Sequence, residues 1–426
     1  MGFEPTTSGT TSQRSNQLSY VRRLNILLYS LLNKTNRYIK NMKVSKRIFN
    51  LETETAFSVL ATANKLASEG KDIINLGIGQ PDFSTPLNIQ EAAIKAIRDG
   101  HHGYTASNGI LPLREALSEM IFLEYNAKIN PDNILITPGG KPVIFFASLI
   151  FGGKENEIIY PDPGFPIYKS TINFSGAKAI PIILKEKNNF EIDIDDLEKL
   201  ITNKTSLIII NNPNNPTGSF MTKSKIEKLV KLLDKFPNVF ILSDEIYSKI
   251  IFDNNKMPSL LEYESIKERL IILEGWSKTF CMTGWRLGWS VWPKKIFEFA
   301  NKLCVNDHSC PSSISQYAGL EAIKGPKEEV NKIVKEFEIR KKFVHENLNK
   351  IKNISCFKPG GAFYAFPNIS ETGLSDKKYS DEALYNKGVA VVPGSSFGNS
   401  VENYIRISYA NSLENLEKAI KRLSEI

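Results

Sequence analysis

Cysteine and histidine are scarce in this 426-residue sequence, with four of each. Cys281, Cys304, Cys310 and Cys356 form no C-x-x-C pair. That argues against a disulfide framework and fits a reducing compartment, the cytoplasm. His101, His102, His308 and His345 supply no H-E-x-x-H motif and no Cys/His cluster, so no metal site is expected. Long apolar runs are also lacking. Leu24 to Leu32 falls short of the roughly 20 residues a membrane span needs, so no membrane association is expected. Acid is nearly absent from residues 1–41, where Glu4 faces Arg14, Arg22, Arg23, Lys34, Arg37 and Lys40. This stretch carries +5 of the total net charge of +8, leaving an unremarkable +3 for the rest. With no recognisable nucleic-acid motif, the basic balance points to a mildly basic enzyme surface. Residues 1–41 have two readings. They are either an Arg- and Ser-rich transit-like segment or translated sequence ahead of a true start at Met42.

What is present is an ordinary globular composition, 42% hydrophobic and 23% charged, at a length that suits about two or three domains. Helical spacing runs over Asn88 to Arg98, Leu113 to Leu123 and Lys223 to Leu233. Between such segments lie short β-rich runs at Asn133 to Thr137, Glu157 to Tyr160, Ser206 to Ile210, Val239 to Ser243 and Leu270 to Leu273. Alternation of this kind predicts an α/β fold, a mostly parallel sheet with helices on both faces. After about residue 325 the pattern changes to a long amphipathic helix, Lys327 to Lys350, then short strands and a closing helix, Leu413 to Ser424. The expected organisation is an N-terminal extension over 1–41, an arm and part of a small domain over 42–85, a large domain over 86–324, and an α+β small domain completed by 325–426.

In open α/β sheets, ligands bind beyond the carboxyl ends of the strands. Asn215, Asp244 and Lys278 each follow or end a predicted strand at intervals of about one βα unit, so one sheet would bring them to one rim. Taken singly, each has a plain reading: a solvated lysine, a turn aspartate, an Asn before Pro. Their flanks change that. Asn211-Asn212-Pro213-Asn214-Asn215-Pro216-Thr217-Gly218 resembles the N-P-x-N-P-T-G motif of fold-type I, class I/II pyridoxal-phosphate-dependent aminotransferases, the group that includes the aspartate aminotransferases. Ser243-Asp244-Glu245-Ile246-Tyr247 resembles their cofactor Asp/Tyr segment, and Gly275 to Arg286 their Schiff-base segment. The resemblance covers about residues 43 to 426.

The resemblance implies pyridoxal 5′-phosphate as cofactor, carried by Lys278. Asp244 would hold the proton on the ring nitrogen, and Tyr247 and Asn215 would bond the phenolic oxygen. Gly139, Gly140 and Lys141 at a helix start, together with Arg286 and Ser277, would meet the phosphate. Gly275 stands where relatives often have a serine. Phe165 would stack on the ring, or else be a plain core residue. Tyr104 would reach the phosphate of a neighbouring subunit, which makes the active unit a homodimer. Arg406 would clamp the substrate α-carboxylate, with a backbone contact from Gly79 and with Asn215 also on the substrate side. The Gly77 to Asp82 segment is superficially like a dinucleotide loop, but Pro81 and Asp82 stand where the third glycine and the helix should begin.

The expected activity is transfer of an amino group between an α-amino acid and a 2-oxo acid by a ping-pong route, with small molecules as its partners in amino acid metabolism. A C–S lyase or other elimination enzyme on the same scaffold is the alternative, and a non-catalytic, aminotransferase-like regulator a remote one. Lys141 leans toward an aspartate- or glutamate-type substrate, or simply solvates a helix start. His308 is expected in a loop lining the neighbour's pocket, and Glu54 near the entrance is ambiguous.

Overall fold

The computed structural model describes residues 43–426, so the readings of residues 1–41 lie outside it. Contacts divide the chain into a unit ending at Phe49 and a unit from Asn50 to Ile426. The second unit begins with helix α1 (Thr55–Ser68) and strand β1 (Ile74–Asn75). Helices α2 (Leu87–Arg98) and α3 (Leu111–Tyr125) follow, then β2 (Ile134–Thr137), α4 (Lys141–Phe151), β3 (Glu157–Asp162), α5 (Ile167–Ser175) and β4 (Lys178–Ile183). Next come β5 (Thr205–Asn211), α6 (Lys223–Leu233), β6 (Phe240–Asp244), β7 (Leu270–Gly275) and β8 (Gly288–Val291).

Strands β2 to β8 form a seven-stranded sheet in the order β2-β8-β7-β6-β5-β3-β4. Only β8 is reversed, pairing antiparallel with β2 and β7. The other pairings are parallel. Period-2 alternation divides each strand between two cores. On β5, Leu207 and Ile209 join the core packed by α4 and α5, whereas Ile208 and Ile210 join the core packed by α2, α3 and α6. Burial on both faces explains why the central strands read as continuous apolar runs. Two strands carry no such run. The edge strand β4 is interrupted by Pro181, which an edge tolerates because no partner needs its missing N–H. The four-residue β8 reads Gly-Trp-Ser-Val.

Helices α7 (Lys294–His308), α8 (Ser313–Lys324) and α9 (Glu328–Leu348) lead to β9 (Tyr364–Ala365), β10 (Val389–Ala390), β11 (Val392–Pro393), β12 (Ile405–Ser408) and the closing helix α10 (Leu413–Leu423). β12 lies between β11 and β9, and β1 pairs with β10. A further apolar core joins Phe337 and Val344 of α9 to Ile405 and Ile407 of β12 and Leu416 of α10. Through β1 and β12 the two ends of the unit frame the carboxyl rim of the large sheet. Lys278 donates to the carbonyl of Gly79 and Arg406 to that of Gly77.

Candidate active site

Strands β5, β6 and β7 run side by side, so their carboxyl ends lie together, with Asn211 opposite Asp244 and Asp244 opposite Leu273. Beyond them opens a cavity of about 520 Å³. Asn215, Asp244, Tyr247, Ser277, Lys278, Arg286 and Arg406 all line it, as do Gly79, Gly140, Lys141 and Phe165. The motifs singled out in the sequence therefore converge, although Gly79 and Arg406 are more than 300 residues apart in the chain.

Asp244 ends β6 and is buried. Tyr168 of α5 donates its hydroxyl to Oδ2 at 2.6 Å, and the N–H of Ile246 donates to Oδ1 at 3.2 Å. Burial pushes the Asp244 carboxyl up to about 6, against the pull of these two bonds and the nearby Lys278 charge. Lys278 follows β7, and its Nζ donates to the Gly79 carbonyl at 2.6 Å. Burial, then the charge of Arg406, bring the Lys278 amine down to about 8. Glu54 opposes that shift, and Arg286 and Lys141 add to it. An amine so placed is neutral far more often near neutrality than an ordinary lysine, which favours a nucleophile or proton acceptor.

Arg406, on β12, is buried. One terminal nitrogen donates to Asn215 Oδ1 at 2.9 Å and the other to the Gly77 carbonyl at 2.6 Å. Its guanidinium lies 4.5 Å from the centre of the Tyr364 ring and 4.7 Å from that of Phe397. Its Nε is buried and has no hydrogen-bond partner, an unmet donor on a fixed cation. Tyr364 also meets Tyr247, hydroxyl to hydroxyl, at 2.8 Å.

At the other end of the cavity, Gly139 takes φ +85° just before α4 begins. That backbone conformation favours glycine, and a side chain there would also crowd the guanidinium of Arg286. Arg286 is held by the carbonyls of Thr283 and Pro138 at 2.8 and 3.1 Å. Lys141 is the first residue of α4 and forms an ion pair with Glu54. Its Nζ lies 5.2 Å from the Phe57 ring and 5.8 Å from that of Phe165. The helix start and two cations give this end of the cavity the positive character that favours an anion.

Two expected residues stand apart from the cavity. Tyr104 is 93% exposed and lines a separate hollow with Thr105, Ser107, Ser309 and Cys310. His308 is not in a loop. It is the last residue of α7, where Nε2 meets Cys304 Sγ at 3.1 Å and Nδ1 meets Asp307 at 2.8 Å. The i, i+4 spacing of Cys304 and His308 continues the helix and gives the imidazole partners on its own element. Sequence reasoning missed Tyr168, Tyr364 and the cavity-lining Thr283. Tyr168 lies one helical turn after Phe165, which was the one available signal; nothing local marked Tyr364.

A family model described as aminotransferase class I and II matches residues 71–423. The chain is 39% identical over 385 residues to a (5-formylfuran-3-yl)methyl phosphate transaminase from Methanocaldococcus jannaschii, covering 90% of this chain and 99% of the relative. It is 36% identical over 388 residues to an aspartate aminotransferase of Bacillus subtilis, covering 90% and 98%. Among solved structures, an aromatic aminotransferase from Pyrococcus horikoshii superposes with a TM-score of 0.81 at 36% identity, over 85% of this chain and 98% of that one.

Proposed function

Because this chain belongs to the class I and II aminotransferases, transferases that use pyridoxal 5′-phosphate, we propose that Lys278, Asp244 and Arg406 are the working residues of its amino transfer between an α-amino acid and a 2-oxo acid. The observation that carries this reading is their convergence on one cavity, with the buried Arg406 guanidinium held at its wall by Asn215 and the Gly77 carbonyl. Four cations (Lys141, Lys278, Arg286 and Arg406) line the cavity against two carboxylates, Glu54 and Asp244. That surplus suits a phosphate at one end and a substrate carboxylate at the other. The residues therefore fit the cofactor. Gly139, Gly140 and Lys141 through their backbone N–H groups, with Ser277 and Arg286, would hold its phosphate, Phe165 its ring face, Asp244 its ring nitrogen, and Asn215 and Tyr247 its phenolic oxygen.

When bound, pyridoxal phosphate withdraws electrons from the substrate Cα through a protonated ring. Asp244, braced by Tyr168, keeps a carboxylate where a ring proton must stay. Burial raises the cost of that charge, and a cationic neighbour offsets it. Arg406 would hold the substrate α-carboxylate by the charge of its guanidinium, which Asn215 and the Gly77 carbonyl keep in place. Lys278 would hold the cofactor covalently, and its Nζ, when free, is the amine placed to accept the proton from the substrate Cα. Gly79 joins the substrate side through its backbone, which already accepts from Lys278.

Several further readings rest on the same site. Lys141 would receive the distal carboxylate of an aspartate- or glutamate-type substrate, the activity carried in the name of the B. subtilis relative. Tyr104, exposed and remote from its own cavity, would complete the site of a second subunit in a homodimer. We assign residues 86–324 to a large cofactor-binding domain and 42–85 with 325–426 to a smaller one. All four cysteines are free, which fits the cytoplasm, and no helix among the described residues is long and apolar enough to cross a membrane.

A single-turnover experiment tests the reading. Holoenzyme mixed with an amino donor and no acceptor should convert its cofactor to the amine form and release about one 2-oxo acid per site. Lys278→Ala should slow this by about 1,000-fold or more, given the usual worth of a positioned acid–base group. Release of ammonia and pyruvate from a β-substituted amino acid, with no amine form of the cofactor, would overturn it.

A further inference from the structure

Of the two carboxylates that line the cavity, Asp244 is committed to Tyr168 and the ring-nitrogen end. The other, Glu54, has no part in the proton chemistry. It precedes α1 as its N-cap residue, yet its side chain makes no capping bond. Instead it turns into the cavity and pairs with Lys141, its own side chain only 13% exposed. Lys141 sits at the first turn of α4, where the helix dipole is positive and a cation is poorly placed without a counter-charge. Two carboxylates can supply that charge: Glu54, or one carried in by a substrate.

Beside the pair stands Phe57, a large apolar ring 54% exposed, whose centre lies 5.2 Å from Lys141 Nζ. While the pair is closed, this corner of the cavity offers a neutralised cation and an apolar wall. When it is open, the corner offers an unpaired ammonium.

We propose that Glu54 is a specificity-determining residue. It is an internal carboxylate that occupies Lys141 until a substrate's distal carboxylate displaces it, so that acidic donors bind by exchange of ion-pair partner and aromatic donors bind against Phe57 with the pair intact. The proposal rests on the amino-transfer reading above. Glu54 taxes acidic substrates by competition and, by masking the charge of Lys141, admits uncharged ones. The enzyme accordingly accepts both classes, and the balance between them is set at Glu54.

The test follows the half-reaction of the holoenzyme with aspartate and with phenylalanine as separate donors. No acceptor is added, because a 2-oxo dicarboxylate would itself compete for Lys141. The quantity read is the ratio of kcat/KM for aspartate to that for phenylalanine. Glu54→Gln should raise this ratio about tenfold, the scale of one released charge-assisted contact. Lys141→Met should lower it, and the double variant should match Lys141→Met alone, since Glu54 acts only through Lys141. Glu54→Gln carries no risk of uncapping α1, because the native side chain does not cap it. A ratio that stays the same or falls in Glu54→Gln, or a double variant that still responds to Glu54, overturns the proposal. In either case an active wild-type enzyme leaves the amino-transfer reading standing. Wild-type holoenzyme that reacts with neither donor overturns the proposal; the amino-transfer reading falls only if no α-amino acid converts the cofactor to its amine form.

Discussion

The hydroxyl of Tyr168 is what keeps Asp244 within a useful range. Burial alone drives a carboxyl toward its neutral form, and a neutral Asp244 could not hold a proton on a ring nitrogen. The 2.6 Å bond from Tyr168 and the N–H of Ile246 stabilise the charged form and limit the rise to about 6. Tyr168→Phe removes one of them without changing the shape of the pocket. The Asp244 carboxyl should then titrate about one unit higher, which corresponds to the 1.4 kcal/mol or so of one bond to a charged group. Activity should fail earlier as pH drops, with the acid limb of the kcat/KM profile displaced upward. An acid limb that does not move would show that Tyr168 merely fills space. Asp244 and Lys278 were legible in the sequence because each sits at a fixed offset from an apolar strand and within a dense local motif. Tyr168 and Tyr364 were not. A buried phenol is recognised by the group its hydroxyl reaches, and for these two that group lies 76 and 117 residues away.

Strands β6 and β7 carry a second pair of acids that the proton chemistry does not use. Glu245, directly after Asp244, accepts from the Ser243 hydroxyl at 2.8 Å and the Leu260 N–H at 3.4 Å. Glu274 lies near the end of β7, and the two carboxylates repel each other across the strand ends. Lys249 draws Glu274 down and Glu124 pushes it up. Burial dominates for both, raising each carboxyl from an ordinary 4.5 to about 7. The folded chain thus binds these protons more tightly than the unfolded chain. Their contribution to stability is complete below about 4.5 and is lost as pH rises through about 7, to the extent of roughly 3 kcal/mol for each group titrating alone. Replacing both by Gln, which keeps an acceptor oxygen for Ser243, should raise the melting temperature at pH 8 by several degrees and change it little at pH 5. Equal effects at the two pH values would refute this. The same strands show how far elements could be read in advance. β5, β6 and β7 announce themselves because both faces are buried. β4 hides behind Pro181 at the sheet edge and β8 is too short for periodicity to register, so the one reversed strand came only with the tertiary structure.

At the scale of the whole molecule, a single chain is expected to be an incomplete enzyme. Tyr104 is 93% exposed at its own hollow, while the cationic end of the cavity is lined by Gly140, Lys141 and Arg286. If Tyr104 serves the neighbouring subunit, defects in Tyr104 and Lys278 must complement each other, because they spoil different sites of one dimer. Tyr104→Ala alone should weaken cofactor binding. Lys278→Ala alone should be inactive. In a heterodimer of the two, one site receives Lys278 from the first chain and Tyr104 from the second and is wild type; the other lacks both. Random pairing of equal amounts makes about half the dimers mixed, and one good site in each gives about a quarter of wild-type activity. Heterodimers isolated by two tags, each with one good site of two, should show about half of wild-type activity. Activity no higher than the mean of the two parents would mean that each chain completes its own site, and that the geometry around Tyr104 serves some other end.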